Sequence, residues 1–141
     1  MAANLLIDTG AILAILDKDD RWHAPCLATF LRLRLPALTS EAVLTEVFHL
    51  VKRSRPQMET VWKFLSPGPV LLATIDTSEL PNIHTLMLRY RDRPMDFADA
   101  TLVHLAARES LSVIFTVDRS DFETYRIAGK HRFRILPLER P

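Results

Sequence analysis

Two short apolar runs, Leu5-Leu6-Ile7 and Val113-Ile114-Phe115, show no polar alternation, and each is followed within three residues by an aspartate, Asp8 and Asp118. A strand with one wet face alternates. A strand that does not is covered on both faces, as in a parallel sheet flanked by helices. Residues 70–73, after the turn signal Pro67-Gly68-Pro69, and residues 133–136, ahead of Pro137, read the same way, and residues 36–38 add a weaker fifth run. Val117 extends the second run, so Asp118 is expected to end a strand. Helical spacing fills the intervals at residues 11–17, 23–33, 40–53, 57–65, 79–91 (with Asp76 as N-cap) and 96–108. Strands alternating with helices predict a three-layer α/β/α sandwich with a mostly parallel sheet.

No repeat, linker or low-complexity tract divides the 141 residues, so one domain spanning 1–141 is expected. With 48% hydrophobic residues and a net charge of +1, the chain is not of the disordered class. Three glycines exclude a Gly-rich phosphate loop, and the single Cys26 excludes a disulfide framework or a multi-cysteine metal site. No basic stretch precedes the first apolar run, which Asp8 interrupts, so no secretory signal is expected. The uncharged apolar stretch at 11–16 falls far short of the ~20 residues that span a bilayer. A cytoplasmic protein without a membrane segment is the expectation.

In an open parallel sheet, ligands bind at the carboxyl ends of the strands. Asp8 and Asp118 therefore belong on one rim, although each also fits as a cap for the following helix. At 100° per residue, Asp99 lies within about 60° of Leu102, Val103 and Ala106, the stripe expected to face inward. Glu46 borders the Val43–Val47–Leu50 stripe, and solvation accounts for it equally well. Asp96 and Asp99 also have N-cap and N3 spacing. Taken together, the four acids pose an electrostatic problem. Two like charges 4 Å apart repel by about 4 kcal/mol at an effective dielectric of 20, roughly three pKa units. A divalent cation would relieve it, and oxygen-only ligands select Mg2+ or Mn2+ over Zn2+. The histidines (His23, His49, His84, His104 and His131) show no His-x-x-x-His or His-Glu-x-x-His spacing. Gly-x-Ser-x-Gly, Gly-x-Gly-x-x-Gly and Walker motifs are absent from the sequence.

The order Leu6-Ile7-Asp8-Thr9, Glu46 within a helix, Met95-Asp96-Phe97-Ala98-Asp99-Ala100 and Phe115-Thr116-Val117-Asp118-Arg119-Ser120-Asp121-Phe122 resembles the PIN-domain ribonucleases, specifically the VapC-type toxins of prokaryotic toxin–antitoxin pairs. The resemblance implies that Asp8, Glu46, Asp99 and Asp118 are the quartet holding Mg2+ or Mn2+. Asp96 and Asp121 match accessory acids, and Thr9 and Thr116 match hydroxyls flanking the site. It implies endonucleolytic RNA cleavage leaving a 5′-phosphate and a 3′-hydroxyl. A small antitoxin would insert its C-terminal segment into the acidic groove, with residues 11–33 and 40–53 carrying apolar surface for that partner and for a homodimer. Gly10 departs from the pattern, in which Asn or Ser is commoner.

RNA approaching such a pocket needs cations around it. The candidates are Arg53 and Arg55, Arg91 and Arg93 (with Arg89), and Arg132 beside Lys130 and Arg134, each equally explained as solvated surface. Arginine outnumbers lysine 14 to 4, and its fork suits phosphate. Trp22, Phe30 and Trp62 are partner-contact candidates for which core packing is the simpler expectation. Asp8-Thr9-Gly10 also matches the retroviral-type aspartic protease motif, but helical periodicity and scarce glycine disfavour that all-β fold. A housekeeping RNA-processing nuclease and a non-catalytic PIN-like scaffold are the remaining alternatives.

Overall fold

The computed structural model describes residues 2–66 and 68–141, so Pro67 of the Pro67-Gly68-Pro69 signal lies outside the described residues. Strands β1 (Leu5–Ile7), β2 (Ala37–Ser40), β3 (Val70–Ala73), β4 (Val113–Phe115) and β7 (Arg134–Leu136) form one sheet in the order β3-β2-β1-β4-β7. Every neighbouring pair is parallel, with Leu6 opposite both Leu38 and Ile114, and Ile114 opposite Ile135. All three residues of β1 are buried, as their lack of alternation predicts. From β1 the chain steps outward through β2 to β3, then returns across the sheet to β4. The carboxyl ends of β1 and β4 therefore flank the topological switch point, where such sheets open a crevice.

Helices α1 (Thr9–Leu16), α2 (His23–Phe30), α3 (Glu41–Val51) and α4 (Arg55–Leu65) pack on one another as one group, and α5 (Leu80–Arg89) packs on α6 (Phe97–Arg108) as another. Local chemistry starts several of them. Ser40 and Ser54 accept hydrogen bonds from Val43 N and Gln57 N, both at 3.3 Å, which caps α3 and α4. The helix expected at 79–91 instead opens as a 3-10 turn, Thr77–Glu79, with α5 starting at Leu80. Pro81 sits in its first turn, where a missing N–H costs nothing. Among the described residues no helix is long and apolar enough to cross a membrane.

Several boundaries move. Strand β4 stops at Phe115, so Val117 lies outside it and Asp118 instead precedes a helix, α7 (Arg119–Thr124). The weak run at 36–38 becomes β2, and the helix expected to reach residue 33 ends at Phe30. A small antiparallel pair, β5 (Arg126–Ile127) with β6 (His131–Arg132), has no counterpart in the sequence reading. Phe30 stacks on Phe64 at 5.5 Å and Trp22 packs on the core, but Trp62 lies against Phe48 with 54% of its surface exposed, correcting its assignment to the core.

Candidate active site

Asp8 follows β1 directly, and its amide continues the ladder by donating to Phe115 O at 3.0 Å. Both of its carboxylate oxygens are held: Thr9 N donates to Oδ1 at 2.7 Å and Thr116 Oγ1 to Oδ2 at 3.0 Å. Thr116 is itself placed by its amide, which donates to Leu136 O at 2.9 Å, and its hydroxyl accepts from Asp118 N at 3.0 Å. One hydroxyl thus joins the acid after β1 to the acid after β4. The capping alternative is half right. Asp8 does cap α1, whereas Asp118 makes no side-chain cap bond to α7.

Asp99 reaches the same crevice from the first turn of α6. Its amide donates to Asp96 Oδ1 at 2.7 Å, which confirms Asp96 as the N-cap. Asp99 is buried because α6 is enclosed all round, with every residue from Ala98 to Ala106 buried, so the single inward stripe read from the sequence is too narrow. The Tyr125 hydroxyl donates to Asp99 Oδ2 at 3.0 Å. Glu46 is half-buried in α3, Asp118 and Asp96 are exposed, and Asp121 is half-buried in α7. Thr9, also buried, donates to Val43 O at 3.5 Å, tying α1 to α3.

The acids share one electrostatic neighbourhood. Burial pushes the Asp8 carboxyl up to about 6, with Glu46 and Asp118 adding to the rise against the bonds from Thr9 and Thr116. Burial likewise pushes Asp99 up to about 8, reinforced by Asp8, Asp96 and Asp118 and opposed by Tyr125. Asp118, though exposed on one side, is raised by partial desolvation and by Asp121, Asp96 and Glu46, while Arg93 lowers it. Among the described residues no Lys, Arg or His bonds to Asp8 or Asp99. Two buried carboxylates without a cation suit a hard divalent ion, and the donors are all oxygen. The side chains do not stand as a closed cage: among the described residues no group of three or more His, Cys, Asp or Glu is arranged to hold an ion as it stands.

A cleft of about 650 Å³ opens between α3 and the start of α6, lined by Glu41, Thr45, Glu46, His49, Asp96 and Phe97. Of the basic candidates, only Arg93 is brought to the acids. It pairs with Asp121 at 3.1 Å and donates to Thr124 Oγ1 and Ser120 Oγ at 2.8 and 3.1 Å. Arg91 donates to Leu88 O, and Arg53, Arg55, Arg91 and Arg132 are exposed without an ion pair among the described residues. Sequence reading missed Tyr125. The spacing Phe122-x-x-Tyr125 behind Asp118 is the signal that would have found it, since it places two aromatics on one face of a helical turn. Gly10 has a packing reason, because a Cβ there would collide with Val117 Cγ2.

The parallel sheet flanked by helices, with acids at its switch point, defines an α/β fold, and the sequence comparison is narrower. The chain belongs to the PIN domain family, which matches residues 5–128. Its fold is similar to that of the Mycobacterium tuberculosis toxin VapC20, described as a Sarcin-Ricin loop cleaving toxin, with a TM-score of 0.71 and 20% identity over 84% of this chain and 94% of that one. It is also similar to a chain of a toxin–antitoxin complex from Klebsiella pneumoniae (TM-score 0.68, 19% identity, 99% and 100% covered) and to one of FitAB bound to an IR36 DNA fragment (TM-score 0.68, 17% identity, 96% and 98% covered). Among curated proteins no sequence matches significantly.

Proposed function

We propose that this chain is a Mg2+- or Mn2+-dependent endoribonuclease and the toxin of a toxin–antitoxin pair that inhibits translation. The observation that carries the reading is the burial of Asp8 and Asp99 within electrostatic reach of one another, with no Lys, Arg or His bonded to either among the described residues, at the switch point of a PIN-family sheet. Asp8, Glu46, Asp99 and Asp118 would hold the ion. When bound, it supplies positive charge for the attack of water on a phosphodiester. The protein's own part is placement. Thr116 and the Thr9 amide fix the Asp8 carboxylate, and Asp118 at the rim faces incoming substrate. Arg93, 48% exposed beside Asp118, meets a backbone phosphate as RNA enters. Water adds at phosphorus and the 3′-oxygen leaves, giving a 5′-phosphate and a 3′-hydroxyl. Asp96, Thr9 and Asp121 act as accessory groups, and Arg53, Arg55, Arg91 and Arg132 as an outer, salt-sensitive contact set.

The partner reading has its own support. A groove of about 430 Å³ runs between α1, α2, α3 and α4; Leu13, Leu16, Leu50 (59% exposed), Val51 and Val61 give it an apolar wall, and Asp17, Lys18, Asp19, Asp20 and His23 are among its polar lining. An antitoxin segment would lie there and reach toward the acids. A homodimer acting in the cytoplasm completes the proposal.

The deciding assay incubates the purified chain with RNA and Mn2+, with EDTA and with Asp8→Asn and Asp99→Asn as controls. Cleavage that disappears in all three controls is expected, and cleavage that survives either substitution would sink the assignment. One observation favours a second reading, a non-catalytic PIN module, namely the open arrangement of the carboxylates. Wild-type protein that folds but never cuts RNA would establish it. Toxin and housekeeping nuclease part on growth: expression of a toxin arrests the host, and the product of the adjacent reading frame restores growth.

A further inference from the structure

Tyr125 has no role in the reading above, yet its ring is 1% exposed and its hydroxyl meets one of the two buried candidate carboxylates. The ring is wedged edge-on between Tyr90 (5.0 Å, 68°) and Phe122 (5.2 Å, 86°). Tyr90 is anchored in turn, its hydroxyl accepting from Arg126 N at 2.9 Å. The Tyr125 amide donates to Asp121 O at 3.0 Å, which closes α7. Packing from α5 and α7 therefore fixes where the phenol points. That one O–H is spent on Asp99 Oδ2 at 3.0 Å, while Asp99 Oδ1 takes no hydrogen bond among the described residues. With Oδ2 held from behind, the carboxylate plane is set and Oδ1 is left for a cation.

The same contact ties two elements together. Asp99 belongs to α6, and Tyr125 ends the helix that Asp118 begins. The hydroxyl thus spans from the far end of α7 to the acid on α6, so that Asp99 and Asp118 keep their spacing whether or not an ion is present. We infer that Tyr125 is a positioning residue, a buried hydroxyl that orients Asp99 for divalent-cation binding and couples it to the helix carrying Asp118. This inference rests on the metal-dependent nuclease reading.

Mn2+ binding, followed as loss of the free-ion paramagnetic resonance signal, separates this role from simple packing. The proteins compared are the wild type, Tyr125→Phe, Phe122→Leu, Asp99→Asn and the Tyr125→Phe/Asp99→Asn double variant. Tyr125→Phe removes one hydroxyl and keeps the ring, so the edge-on contacts persist. Its Mn2+ affinity should fall about tenfold, the usual scale for losing the partner of a metal ligand. RNA cleavage should lose kcat by a similar factor with KM unchanged. Phe122→Leu should lower the metal-free melting temperature and, by loosening the contact that aims the phenol, weaken Mn2+ binding less than Tyr125→Phe does. The double variant should bind Mn2+ no worse than Asp99→Asn, because a residue that acts through Asp99 has nothing left to orient. Wild-type affinity in Tyr125→Phe, or losses that simply add in the double variant, overturns the role of Tyr125 while leaving the nuclease reading standing. A wild-type protein that binds no Mn2+ and cuts no RNA overturns both.

Discussion

The Thr116 hydroxyl donates to Asp8 Oδ2 and accepts from Asp118 N, each at 3.0 Å, so a single buried oxygen sets the distance between the acids that follow the two central strands. Thr116→Val keeps the shape and removes both bonds. It leaves Asp8 with one donor fewer and the Asp118 amide without its acceptor. A buried group stripped of its partner costs about 1–3 kcal/mol, so urea unfolding should show a loss of about 2 kcal/mol. Cleavage should fall by about 10- to 100-fold, because a group that orients a ligand has gone. Wild-type rates in Thr116→Val would mean that Asp8 needs no such support.

The pH dependence of stability carries two opposite signs. Asp8 and Asp99 are raised to about 6 and about 8, so the folded state holds their protons more tightly than the unfolded chain does. Their contribution is present in full at and below pH about 4, the ordinary carboxylate value, and is lost as pH climbs through 6 and 8. Glu79 runs the other way. Bonds from His104, the Asp76 amide and Arg108 hold it down to about 2, so its contribution is present above pH about 4 and lost on acidification toward 2. The metal-free protein should therefore melt highest near pH 4 to 5 and progressively lower toward pH 8. A cation that takes the place of those protons reverses the upper limb. At a fixed Mn2+ concentration, 100 times the dissociation constant at pH 8, the ion stabilises by about 2.7 kcal/mol there, and calorimetry should show a smaller melting shift at pH 5.5, where protons compete for the same carboxylates. Equal shifts at both values would show that the ion binds elsewhere.

The strands were legible because burial on both faces forbids alternation: Leu5-Leu6-Ile7 and Val113-Ile114-Phe115 could be read as β1 and β4 with no knowledge of their neighbours. Asp8 was placed on the rim by the same logic. Helix α7 was not legible, because its six residues bury only Phe122 and carry no repeat of the helical period. Its ends are fixed instead by tertiary contacts, Arg93 on the outer face and Tyr125 under Asp99. Asp118 was placed on the same rim by the same strand argument, although β4 ends at Phe115 and the residue opens α7 instead. For Asp99 the periodic argument reached the right residue for an incomplete reason, since the helix around it is buried on every side. The charge pairing of Arg93 with Asp121, 28 residues apart, has no local signal at all.

Gly10 shows how two magnitudes decide one substitution. Alanine at a helical glycine ordinarily gains about 0.5–1 kcal/mol. Here the added methyl collides with Val117 Cγ2, and overpacking costs about 1–3 kcal/mol. Gly10→Ala should therefore lower the melting temperature in the wild-type background. In a Val117→Ala background the collision is gone and the same change should raise it. A Gly10→Ala protein at least as stable as wild type with Val117 intact would show that Val117 yields freely.

Arg93 is tied both to α7 and, by charge, to a candidate acid. Its fork is already ordered by Asp121, Ser120 and Thr124, so little side-chain entropy remains to be lost when a phosphate arrives. Exposed pairs contribute only about 0.2–1 kcal/mol to stability, so Arg93→Gln should barely change unfolding. Its effect belongs in substrate handling: KM for RNA should rise, and the dependence of KM on salt should flatten by about one phosphate contact. Should Arg93→Gln instead leave KM and its salt dependence unchanged while lowering kcat, the arginine acts through the Asp118 carboxylate and not on the RNA backbone.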